Sequence, residues 1–159
     1  MKILMVSDTH RDVTRFAELV DRVGDVDMIF HMGDSERDRV ELEAFCDCPL
    51  YVVKGNCDYM VDHPREEIVE AGGHRFFLTH GHAYQAKYGP SMLREAAASR
   101  QADVVCFGHT HEPCIDCSKE IYVINPGSLC YPRQYDRRAT YILAEIDKKG
   151  KLHFALNYF

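Results

Sequence analysis

Seven side chains with oxygen or imidazole donors punctuate this chain: Asp8, His10, Asp34, Asn56, His80, His109 and His111. Nearly all of them close an apolar, β-like run. ILMVSDTH ends in Asp8 and His10, MIFHMGD in Asp34, and YVVKGN in Asn56. FFLTH ends in His80, and VVCFGHTH in His109 and His111. Loops at the carboxyl ends of parallel strands converge on one crevice in α/β proteins. Taken singly, an aspartate after a strand is explained as a helix cap, a Gly-Asn as a turn, and a histidine as a packed residue. Separate explanations do not cover donors at the ends of five runs. Together they predict one binuclear metal centre.

The spacing suits that chemistry. Asp8 and His10 are separated by one residue, so in extended geometry both side chains leave on the same side. Asp34 follows Gly33 and Asn56 follows Gly55, where a missing side chain permits a tight approach. A carboxylate has two oxygens and can join two cations, which assigns the bridge to Asp34. One ion would take Asp8, His10, Asp34 and His111; the other would take Asp34, Asn56, His80 and His109. Spacing leaves the division between His109 and His111 open. Mixed oxygen and nitrogen donors suit Mn²⁺, Fe²⁺, Zn²⁺, Co²⁺ or Ni²⁺ better than an all-oxygen Mg²⁺ or Ca²⁺ site.

The elements that must carry these residues read in order. Residues 2–7 are an apolar strand buried on both faces. Asp12 opens a helix with Val13, Phe16, Leu19, Val20 and Val23 on one stripe, and Gly24 ends it. A strand over 27–31, a helix over 36–45 and a strand over 50–54 complete a βαβαβ series, the signature of a parallel sheet. Strands 66–70 and 74–79 straddle Gly72-Gly73 as a hairpin. A helix over 90–100, a strand over 103–107, and strands over 121–125, 139–146 and 151–158 follow. Two mixed sheets face to face, with helices outside, are the simplest architecture, and residues 1–159 read as a single domain.

Composition narrows the function. At 159 residues with 46% hydrophobic residues, the chain can bury a sizeable core. A net charge of −6 without a basic block excludes an extended nucleic-acid surface. No apolar stretch reaches the roughly 20 residues that cross a bilayer, and MKILMVSDTH reads as a strand, making the cytoplasm the expected location. The seven cysteines are odd in number; Cys106 sits in an apolar run, and the lone Cys114–Cys117 CIDC pair is a weak signal beside the larger cluster.

The blocks DTH (8–10), GD (33–34), GNCD (55–58), THGH (79–82) and GHTH (108–111) resemble the calcineurin-like metallophosphoesterase superfamily, and more narrowly the YfcE-type phosphodiesterases. The resemblance spans roughly residues 1–145. It implies a four-layer αββα sandwich, the ligand assignments above, and two divalent transition-metal ions with Mn²⁺ first. It implies hydrolysis of a small phosphodiester by a metal-bridging water or hydroxide. One departure stands out. Many larger phosphatases of the superfamily carry histidine after GN, where this chain has Cys57, as YfcE-like proteins commonly do.

Further residues are assigned around that core. Asp58 is expected to orient a ligand histidine or a water. His82 is the candidate auxiliary acid or phosphate contact, and equally a structural histidine. Arg11 offers a bidentate phosphate contact or a solvated loop charge. Cys57 and Asn56 face the substrate, and Ser128 in the Asn125–Ser128 NPGS turn borders the pocket or only shapes the turn. His31 reads as a sheet residue. The rival functions are a phosphomonoesterase sharing all seven ligands and, with less support, a noncatalytic interaction module on the same fold. Tyr131, Tyr135 and Tyr141 serve either a self-interface in a homo-oligomer or internal packing.

Overall fold

A computed structural model describes residues 1–159. Two five-stranded mixed sheets stack face to face. The first has the order β10-β9-β1-β2-β3, where β1 (Lys2–Val6), β2 (Met28–His31) and β3 (Leu50–Val52) run parallel. The hairpin of β9 (Thr140–Ile146) and β10 (Leu152–Tyr158) joins antiparallel beside β1. The second has the order β4-β5-β6-β8-β7, with β5 (His74–Thr79), β6 (Val104–Cys106) and β8 (Tyr122–Pro126) parallel. β4 (Glu66–Ala71) and β7 (Pro113–Asp116) close its two edges antiparallel.

Alternation along the strands builds the layers. Successive side chains point to opposite faces. Ile3 and Met5 of β1 therefore enter the core between the sheets, with Phe30, Phe76, Leu78, Val104 and Ile124. Phe30 and Phe76 meet edge to face across that interface at 5.4 Å. Leu4 and Val6 face the other way, under Phe16 and Leu19 of α1 (Val13–Val23) and Leu42 of α2 (Arg39–Glu43). On the far side, Phe77, Val105 and Val123 pack beneath Leu93, Ala96 and Ala97 of α3 (Ser91–Ser99). The result is the αββα sandwich. No helix is long and apolar enough to cross a membrane.

Local chemistry explains where the elements begin. The Asp12 carboxylate accepts from the Arg15 N–H at 2.9 Å, capping α1. α2 is shorter than the expected 36–45. Glu36 is held at φ 52° while its N–H donates to Asp58 Oδ1 at 2.5 Å, so the helix cannot start there. Strand β7 and the 3₁₀ turns His82–Tyr84 and Ala86–Tyr88 have no counterpart in the periodicity. β7 is a short edge strand opened by proline, where one face is solvated and no apolar run is needed. It contains Cys114, with Cys117 just beyond it; all seven cysteines are free thiols. Tyr141 is buried, whereas Tyr131 and Tyr135 are exposed.

Candidate metal centre

The six parallel strands all end at one edge of the sandwich, three from each sheet. Their following loops deliver Asp8 and His10 (after β1), Asp34 (β2), Asn56 (β3), His80 (β5), His109 and His111 (β6), and Ser128 (β8). Three donor groups are each compact, with atoms within 4.8 Å of one another: Asp8, His10 and His111; Asp8, Asp34 and His80; and His10, Asp34 and Cys57. Asp34 therefore joins the donors of both sheets. Asn56 Oδ1 lies 3.2 Å from His80 Nε2, itself 3.3 Å from Asp34 Oδ2. His109 stands outside the tight groups, with its ring 5.2 Å from that of His80.

The backbone there is unusual. Asp8, His10, Asp34, His109 and His111 all have φ between 43° and 65°, the left-handed region that side chains disfavour. The same-side presentation of Asp8 and His10 thus comes from a turn. β1 ends at Val6, and extended geometry does not apply. Close approach also demands glycine. A Cβ on Gly55 would sit 2.0 Å from Asp34 Oδ1, and one on Gly108 would sit 2.0 Å from Ser7 Oγ.

Three histidines share one orientation. His80 Nδ1 donates to the Met32 carbonyl at 2.6 Å, and His111 Nδ1 to the Tyr131 carbonyl at 2.6 Å. His10 Nδ1 donates to Glu36 Oε1 at 3.1 Å. A backbone carbonyl carries no proton, so Nδ1 of His80 and of His111 must, and a neutral ring then keeps a lone pair on Nε2. All three Nε2 atoms face the acids: His111 is 3.0 Å and His10 4.0 Å from Asp8 Oδ1, and His10 Nε2 is 3.4 Å from His111 Nε2. Lone pairs facing lone pairs need a cation or added protons between them. Asp8 Oδ1 is also buried without a hydrogen bond. The donor set therefore fits divalent metal ions.

Electrostatics follow that arrangement. Burial would raise the Asp34 carboxyl, but hydrogen bonding to His80, the charge of His80 and the Cys57 N–H outweigh it and hold Asp34 well below the usual range. For Asp8, burial is likewise outweighed by His111, His80 and the Ser7 hydroxyl, the last at 2.6 Å. His80 moves the opposite way. Burial disfavours its charge, yet Asp34 and Asp8 raise its pKa. His109 is lowered to about 4 by burial and by neighbouring His80.

The remaining expected site residues divide. Asp58 does not touch a histidine. Its buried carboxylate accepts from the N–H groups of Asp34, Gly55 and Glu36 at 2.8, 2.7 and 2.5 Å, tying the Asp34 loop to the Asn56 loop. Ser128 serves its turn and not a pocket wall. It is fully buried, donates to the Asp8 carbonyl at 2.9 Å and accepts from the Tyr131 N–H at 2.8 Å. Arg11 projects into solvent and pairs with Glu36 Oε2 at 2.7 Å. His82 borders a depression of about 240 Å³ beside Asn56, Lys54 and Arg65, its ring 5.4 Å from His80. Cys57 donates its N–H to Asp34 Oδ1 at 2.7 Å, and burial together with Asp34 pushes its thiol up to about 12. His31 is a buried sheet residue, with Nε2 3.0 Å from the Thr9 hydroxyl. Glu36 and the carbonyls of Met32 and Tyr131 had no sequence signal, because backbone acceptors and loop contacts leave no residue pattern.

Fold and site together define a metallophosphoesterase. The chain belongs to the calcineurin-like phosphoesterase superfamily, whose domain model matches residues 1–149. It is 35% identical over 134 residues to the probable metallophosphoesterase YsnB of Bacillus subtilis, covering 84% of this chain and 78% of that protein. It is 38% identical over 93 residues to the phosphodiesterase YfcE of Escherichia coli, covering 53% and 46%. Among solved structures, a predicted phosphoesterase from Streptococcus pneumoniae superposes with a TM-score of 0.83 at 30% identity, covering 99% and 97% of the chains. Vps29 from Entamoeba histolytica, complexed with Zn²⁺, superposes with a TM-score of 0.76 at 20% identity and 99% coverage of both chains, a likeness of fold alone. Membership supports a phosphoester hydrolase that works with divalent metal ions.

Proposed function

We propose that this chain is a cytoplasmic phosphodiesterase, acting as one domain on small phosphodiesters with two divalent metal ions, Mn²⁺ first. The observation that carries the reading is the set of histidines whose Nδ1 atoms are occupied and whose Nε2 atoms face Asp8 and Asp34. Asp8, His10, Asp34 and His111 would hold one ion, and Asp34, Asn56, His80 and His109 the other. Bound there, such cations supply Lewis acidity toward phosphoryl oxygens and activate water near neutral pH.

The chain's own residues set the rest. Asn56 Nδ2 donates to Cys57 Sγ at 3.3 Å, which turns its carbonyl oxygen toward the donor cluster. Asp58 fixes the two loops that carry Asp34 and Asn56, so the ligands are held before any ion arrives. Cys57 keeps a neutral thiol at the mouth of the site and adds no positive charge. A phosphodiester carries one charge at neutral pH and a phosphomonoester close to two. Without an imidazolium at position 57, the site favours the diester. His82 is assigned the contact to the leaving-group side.

The test is turnover by metal-free protein before and after Mn²⁺ is restored, with an aryl phosphodiester beside its monoester. Metal-restored diester hydrolysis with little monoester hydrolysis is expected. Faster monoester turnover would transfer the reading to a phosphomonoesterase, and no turnover of either by fully loaded protein would remove it.

A further inference from the structure

Most arginines of this chain are occupied. Arg11, Arg37, Arg39, Arg75, Arg94 and Arg100 pair with carboxylates. Arg15, Arg22 and Arg138 lie over aromatic rings. The side chains of Arg65, Arg133 and Arg137 have neither an acid nor a ring as partner. A single unpaired surface arginine is ordinary, but two of these three share one depression. Arg65 lines the depression beside His82, and Arg133 and Arg137 line another, of about 530 Å³, that opens on His10 and His111.

The larger depression has the features of a built anion site. No acidic residue lines it, in a chain whose net charge is −6. Asp136 lies beside Arg137 in sequence, yet its carboxylate accepts from the Arg138 N–H at 3.2 Å. The loop that carries both arginines is fixed to a proposed ligand. His111 donates from Nδ1 to the Tyr131 carbonyl, and the His111 carbonyl accepts from the Arg133 N–H at 3.0 Å. Tyr131 also sets its ring edge-on against His10 at 5.1 Å. The backbone of Arg133 is thus tied to His111, and Arg137 follows on the same loop.

We infer that the natural substrate is a phosphodiester with a second anionic group, a carboxylate or a phosphate, on the substituent that lies toward Arg133 and Arg137. The inference rests on the phosphodiesterase reading for the scissile group. A guanidinium presents a planar fork that matches carboxylate and phosphate oxygens and holds its charge at every physiological pH. The opposite depression is a weaker candidate. It is smaller, Asp58 contributes to its lining, and its Lys54 ammonium already donates to the Val61 carbonyl at 2.8 Å.

The test is equilibrium binding of phosphonates, which contain no ester bond to cleave, to Mn²⁺-loaded protein by calorimetry. Alkylphosphonates are compared with ω-carboxyalkyl- and ω-phosphonoalkylphosphonates of graded chain length. At the chain length that spans the two sites, the second anion is expected to tighten binding about tenfold. Whichever of carboxylate or phosphonate gains more identifies the group. The Arg133→Gln/Arg137→Gln double variant should erase that ratio, and Arg133→Lys/Arg137→Lys should keep only part of it, because charge remains and the fork is lost. Equal binding of all ligands, or a preference that survives in the double variant, overturns the inference while leaving the metal reading intact. Tight binding of the doubly anionic ligands with or without Mn²⁺, and none of the alkylphosphonates, would instead keep the arginine site and remove the metal reading. Loaded protein that binds neither ligand removes both.

Discussion

The two ends of the sandwich solve the same geometric problem with different residues. At the amino ends of the parallel strands, chain reversals that need left-handed backbone use Gly24, Gly72, Gly73 and Gly150, with Gln101 the exception. At the carboxyl ends, Asp8, His10, Asp34, His109 and His111 adopt the same conformation with full side chains. A left-handed residue with a Cβ costs about 1 kcal/mol or more. The buried polar side chains gather at this end too, including Asp8, Asp34, Asp58, His80 and His111. The difference shows where this chain gives up stability for chemistry. At the donor residues strain is retained because the side chain itself is needed.

The contrast can be broken most severely at Asp34. Asp34→Asn keeps the shape of the side chain but removes the charge that joins donors from both sheets. Turnover should fall at least about 100-fold, and metal content measured on the purified protein should drop with it. Normal metal-dependent turnover would sink the bridging role. Gly55→Ala comes next, since its new Cβ would meet Asp34 Oδ1 at 2.0 Å. Activity should be lost while circular dichroism still reports a folded chain.

A smaller effect concerns His31. Burial keeps its imidazole neutral and lowers its pKa to about 4 from 6.5. Protons therefore bind the unfolded chain first as pH falls. Stability from this residue is present above pH 6.5 and is lost as pH falls toward about 4, levelling off below. Urea unfolding of metal-free protein should show that slope, and His31→Gln should reduce it. The smallest effect belongs to the opposite end. Gly73→Ala meets nothing within 4 Å and pays only for its φ of 85°, about 1 kcal/mol in unfolding, with activity unchanged.

Sequence periodicity was informative wherever burial repeats regularly. The unbroken apolar run of β1, the stripe of α1 and the Gly72-Gly73 hairpin follow from it, and with them the two sheets. The donor residues were legible because each ends an apolar run, and strand order then brings them to one edge. Periodicity carried no information on loops whose shape depends on distant partners. Glu36 was read as helical because nothing local signals that Asp58 takes its N–H. Motif position does not reveal which groups a buried carboxylate or hydroxyl satisfies, so the backbone partners of Asp58 and the choice between pocket and turn for Ser128 are not legible there. The unpaired state of Arg133 and Arg137 is equally invisible in sequence, since it depends on which acids lie nearby in space.

The central claim is that carboxylates and bare imidazole nitrogens at the strand ends hold two cations per chain. The most direct test is a Mn²⁺ titration of metal-free protein, followed by electron paramagnetic resonance with metal content counted in parallel. Two ions per chain with a spin-coupled signal, which reverts to an uncoupled signal in Asp34→Asn, is the expected result. A stoichiometry of one or none in protein that hydrolyses a phosphodiester at full rate would contradict the claim.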